Sequence, residues 1–102
     1  MTAPRSLAVG LINHPAQATD ATRRLARVKL ALAAHDKGYA LVDTFEVNDQ
    51  PERGEDLYKA LECLAVHTNA DAVFVAGTVD RQRVEDVAFR VRLLVQDADP
   101  WA

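Results

Sequence analysis

The chain has 102 residues and a mass of 11.2 kDa, which suits one domain of ordinary size and leaves little room for a second. Its 49% hydrophobic and 26% charged residues exclude disorder or a fibre as the main state, and its longest uncharged apolar runs fall far short of the roughly 20 residues of a membrane span. A net charge of −3 supplies no overall attraction to nucleic acid.

Charge distribution says more than the total. Acid gathers between residues 43 and 56, and base gathers at Arg23, Arg24, Arg27 and Lys29 and again at Arg81, Arg83, Arg90 and Arg92. Solvated helix faces account for that pattern before a dedicated binding stripe does. The opening MTAPRSLAVGL lacks the pattern of an export signal, so the expected location is cytoplasmic. Cys63, the single cysteine, cannot close an internal disulfide and offers no cluster for a structural metal.

In chain order, residues 6–12 are almost continuously apolar, as in a strand covered on both faces. Asn13-His14-Pro15 follows, and Thr19 or Asp20 caps a helix whose apolar positions include Leu25, Val28 and Leu32 and whose other inward positions are alanines. Gly38 ends it. Residues 39–47, with Tyr, Val, Thr and Phe, read as a second strand. Residues 48–54 are polar, contain Pro51 and Gly54, and form a loop between strand and helix. Leu57, Leu61, Leu64 and Thr68 recur at helical spacing up to Asn69, a plausible left-handed terminator. Residues 72–76 make a third apolar strand before Gly77-Thr78. Val84, Val87, Ala88, Val91, Leu94 and Val95 then form a last helical stripe, and residues 97–102 read as a frayed tail.

Alternating strands and helices predict a single α/β domain over residues 1–102, with its core over about 5–96 and a βαβαβα parallel sheet. Right-handed crossovers and the commonest doubly wound start give the order 2-1-3, with the first helix alone on one face. Ligands of such sheets bind beyond the carboxyl ends of the strands, here between the first and third. The residues expected there are Asn13, His14, Glu46, Asn48, Thr78, Asp80 and Arg81. A sheet face partly bare beside the first helix, and a third strand with a free edge, predict a partner, most simply a second copy.

Two phrases carry a family resemblance: residues 38–45, reading Gly-Tyr-Ala-Leu-Val-Asp-Thr-Phe, and residues 71–75, reading Asp-Ala-Val-Phe-Val, followed by Val79-Asp80-Arg81. In that order they resemble the catalytic domain of serine recombinases, the resolvase and invertase family, over about residues 5–92. The resemblance implies a flavodoxin-like fold. In that family a serine attacks the scissile phosphate and arginines stabilise the charge. Here an ungapped first strand puts Asn13 in the serine's place and Leu11 in that of its arginine; a shift of two puts Pro15 and Asn13 there. Arg81 matches the family's Asp-Arg, but the next arginine position is Val84, with Arg83 one place early, about 100° around a helix. The resemblance therefore implies a domain without strand-cutting chemistry.

Other constellations are weaker. Arg81 and Arg83 are candidates to bind a phosphate at the third helix, although Asp80 there suits a helix cap better. His14 is placed like a general base but has no evident partner, so a solvent-facing loop histidine is the expectation. Cys63 and His67, four apart, lack two further zinc ligands, and a semi-buried thiol is expected. No glycine pattern suits a dinucleotide or P-loop site. Phe89 and Trp101 suit packing, including packing across an interface, better than stacking on bases. The sequence thus points to a non-catalytic resolvase-like domain acting by association, as a homodimer or with a larger protein, with no cofactor or metal. Arg23, Arg24 and Arg27 are its candidates for weak DNA contact. The alternatives are a small-molecule or nucleotide binder using Asn13, His14, Thr78 and Arg81, and a residual DNA strand-exchange enzyme.

Overall fold

Strands and helices alternate strictly: β1 (Ser6–His14), α1 (Asp20–Asp36), β2 (Tyr39–Asn48), α2 (Gly54–Thr68), β3 (Ala72–Gly77), α3 (Arg81–Val91) and β4 (Leu94–Asp97). The computed structural model describes residues 6–15, 17–48, 54–77 and 81–97; Thr78, Asp80 and Trp101, singled out above, lie outside them. The sheet is all parallel, in the order β2-β1-β3-β4. This is the doubly wound arrangement of a small flavodoxin-like α/β domain.

The order agrees with the expected 2-1-3 and adds a strand to it. Leu94 and Val95 do not continue the last helix, and the outer edge of β3 is not free: β4 pairs along it. The cause is a left-handed stop at Arg92, whose φ is 60°. With that turn, the Leu93 N–H donates to the Ala88 carbonyl at 2.8 Å and the Leu94 N–H to the Asp71 carbonyl at 2.9 Å. The first bond closes the helix end and the second starts the new ladder. Asp71 also receives the Leu7 N–H on its carboxylate at 3.2 Å and donates its own N–H to the Leu7 carbonyl at 2.7 Å. One residue thereby ties the starts of β1 and β4 to β3. The other helix ends follow the expected rules: Thr19 caps α1 by accepting the Thr22 N–H, and Gly38 and Asn69 take positive φ after α1 and α2.

Alternation along β1 and β3 separates two cores. On one face Val9, Leu11, Val73 and Val75 meet Leu61 and Ala65 of α2 and Val84, Val87 and Ala88 of α3. On the other, Ala8, Ile12, Ala72, Phe74 and Ala76 meet α1, through Ala26, Leu30 and Ala34. Small residues on both sides let this helix lie close to the sheet. Gly10 lies under it, and a Cβ there would come 2.4 Å from Leu30 Cδ2.

That close seat overturns the predicted inner face of α1. Leu25, Val28 and Leu32 are not core residues; they are 47%, 50% and 56% exposed. At 100° per residue they stand about half a turn from Leu30. Bulky side chains there would have lifted the helix off the alanine face, so the alanines go in and the large aliphatics go out. Leu94, on the same side of the sheet as Ala72, is also exposed.

Candidate functional site

The strand order reverses between β1 and β3, and their carboxyl ends meet there as Asn13 opposite Gly77. Gly77 has φ +83°, and a Cβ on it would lie 2.1 Å from the Asn13 carbonyl oxygen. Only glycine lets the two backbones come this close. Alternation sends Asn13 to the α2 and α3 side with Leu11, whereas His14 follows Gly10 and Ile12 to the α1 side.

His14 is not a solvent-facing loop residue. It is the last residue of β1 and only 2% exposed, and its Nε2 lies 2.8 Å from Glu46 Oε1. The same carboxylate oxygen is 3.3 Å from Arg27 Nε on α1. This contact depends on a bulge in β2. Ala8 pairs with Leu41, but Val9 pairs with Asp43, leaving Val42 as an extra residue. Before it, Tyr39 and Leu41 face α1; after it, Phe45 packs on the opposite core and the residues paired with Gly10 and Ile12, Thr44 and Glu46, face α1. The bulge thus re-aims Glu46 across the sheet. Asp43 accepts the Thr44 N–H at 2.8 Å within it.

Two polar nitrogens near this cluster are buried and have no hydrogen-bond partner among the described residues: His14 Nδ1 and Arg23 Nε. Arg23, Arg27 and Leu30 follow one another at spacings of four and three along the inner side of α1. Because Leu30 stands over Gly10 and Arg27 meets Glu46, the neighbour of Ile12, the next turn of α1 carries Arg23 toward the level of His14.

The other candidate arginines serve separate contacts. Arg81 pairs with Asp97 of β4 and, at 3.5 Å, with Glu85 on the next turn. The Asp97 hydrogen bond is the main reason its pKa is raised above the ordinary arginine value, with burial a smaller opposing effect. Two carboxylates already share that guanidinium. Arg83 lies over the ring of Tyr58 on α2, 5.9 Å from its centre, so it and Arg81 do not converge on one phosphate. Arg24 is exposed on α1. Among the described residues no three His, Cys, Asp or Glu side chains gather as a metal would require. Cys63 is exposed, not semi-buried. No helix among the described residues is long and apolar enough to cross a membrane.

No family model and no curated protein matches the chain. Chemistry available at the mouth is that of a carboxylate-fixed histidine beside two arginines. The sequence places His14 and Glu46 near each other; their contact and the inward turn of Arg23 and Arg27 emerge only from the bulge and the seating of α1.

Proposed function

We propose that this chain is a non-catalytic binding domain of resolvase-like kind that associates with a second copy of itself through the outer face of α1. One observation carries the reading: Leu25, Val28 and Leu32 lie on the solvent side of the only helix that, among the described residues, covers that face of the sheet. With Ala21 they follow the 4-3-4 spacing of a helix-to-helix seam. A helix that has already buried one face in its own core has no folding reason to carry a second apolar stripe.

The sheet edges are poorer candidates. β2 is broken by its bulge and β4 has four residues, both of which blunt edge pairing. Phe89, 88% exposed on α3, is a lone side chain of the sort that ordinary surfaces tolerate. Each half-exposed aliphatic on α1 has on the order of 1 kcal/mol to gain from burial. A symmetrical pair doubles that gain, which against the cost of association suits a dissociation constant in the micromolar range.

The absence of strand cutting is part of the proposal, supported by Asn13 and His14 at the end of β1 in place of a serine. DNA contact gains less support, because Arg27, Arg81 and Arg83 turn to different partners, Arg23 buries its Nε, and the four form no continuous stripe. The test is the triple variant Leu25→Gln, Val28→Gln, Leu32→Gln. It should keep the wild-type melting temperature or raise it slightly at dilute concentration, and lose the concentration-dependent rise in mass. A variant that self-associates as well as the parent chain contradicts the proposal.

A further inference from the structure

The inner side of α1 supports an inference independent of its outer face. We infer that the mouth of the sheet on the α1 side holds a small doubly charged oxyanion, such as a phosphate or sulfate group, between His14 Nδ1 and Arg23 Nε. Both nitrogens are buried and neither has a hydrogen-bond partner among the described residues. Buried polar atoms are nearly always satisfied, so two such orphans on facing elements ask for a shared acceptor.

Their placement follows from the geometry of helix and strand. Strands rise about 3.3 Å per residue and helices about 1.5 Å. From Ile12, whose neighbour Glu46 meets Arg27, two residues of β1 lead about 7 Å to His14, and four residues of α1 lead about 6 Å to Arg23. Both advances run toward the carboxyl ends of the strands, which puts the two side chains at one level. Among the described residues, Glu46 from β2 meets both His14 and Arg27 of α1, Arg23 stands one turn further along α1, and β3 contributes Ala76 on that side. With His14 protonated, two guanidiniums and an imidazolium stand against one carboxylate, a surplus of two positive charges. A doubly charged tetrahedral anion matches that surplus; a carboxylate leaves half of it uncompensated.

Proton accounting gives the site a signature. The Nε2–H of His14 donates to Glu46, so in the neutral ring Nδ1 is a lone-pair acceptor and cannot hold an oxyanion. Binding therefore requires a proton on Nδ1, and Glu46 stands against the imidazolium that carries it. By linkage, affinity rises as pH falls.

The probe is sodium sulfate, which does not titrate near neutrality, added to the full-length 15N-labelled chain against sodium chloride of matched ionic strength. The His14 Nδ1 and Arg23 Nε resonances should shift saturably with sulfate and only weakly with acetate, and binding should tighten from pH 8 to pH 6. Arg23→Met should weaken it on the order of tenfold or more, whereas Arg24→Met should not. His14→Gln should remove the pH dependence; if that variant fails to fold, proton uptake measured in the parent chain, from binding heats in buffers of different ionisation enthalpy, decides instead. Equal, unsaturable responses to sulfate and chloride, binding without proton uptake, or an Arg23→Met chain that binds like the parent overturns the inference.

Discussion

The Glu46 carboxylate lies 2.8 Å from the His14 imidazole, and the two meet because Val42 is one residue too many in β2. Without the bulge, Glu46 falls on the opposite face with Phe45's neighbours out of phase. Glu46→Ala leaves both nitrogens of a buried imidazole unpaired, and the expected loss is about 1–3 kcal/mol in urea denaturation. Glu46→Gln keeps an acceptor and should lose less. A double-mutant cycle with His14→Phe should show a coupling; additive effects would mean that the contact contributes nothing to stability.

Gly77 tests the close approach at the mouth. Its positive φ and the 2.1 Å clash of any Cβ with the Asn13 carbonyl oxygen make Gly77→Ala costly, by about 2–4 kcal/mol. Thermal unfolding within about 1 °C of the parent would show that the strand ends part more easily than described.

Arg92 occupies a position that glycine fills without strain. Arg92→Gly should stabilise the chain by up to about 1 kcal/mol, because φ 60° disfavours a side chain. Denaturant midpoints of the two proteins give the answer, and a lower midpoint in the glycine variant would mean that the arginine side chain holds β4 in place.

Arg81 and Asp97 join α3 to β4 at an exposed site. The raised pKa of Arg81 has a definite sign: the stability it reflects is complete below the unfolded value and is lost only as pH rises through the still higher folded value. Between pH 5 and pH 10 the arginine therefore adds no pH dependence of its own. Solvent screening limits Arg81→Ala to under about 1 kcal/mol, and less in high salt. If Arg81→Ala costs several kcal/mol, β4 depends on this pair far more than on its ladder.

How much of this was legible depends on what each feature needs. Three strands, three helices, their order and two helix ends, Gly38 and Asn69, follow from apolar periodicity and terminator chemistry, which are local. β4 was not legible because Leu94 and Val95 continue the helical spacing of Val84, Val87 and Val91, and the stop falls on an arginine. The inner face of α1 is ambiguous in sequence because two stripes of helical spacing compete, Leu25-Val28-Leu32 and Ala26-Leu30-Ala34. Heavier side chains win that contest in sequence. In the fold the alanines win, since Ala8, Ala72, Ala76 and Gly10 form a sheet face that accepts a helix only at close range. That run of small residues was visible, and it was the available signal. The partner of His14 had no such signal: Glu46 was expected near the mouth, but a bulge that reverses a strand's facing leaves no mark in alternation.

β4 covers the outer edge of β3, which leaves the exposed side of α1 as the surface for association. Sedimentation equilibrium of the unmodified chain, from about 1 to 200 µM, tests it directly. Association through α1 predicts a weight-average mass that climbs from 11.2 kDa toward twice that value. A mass that stays at the monomer value throughout contradicts it.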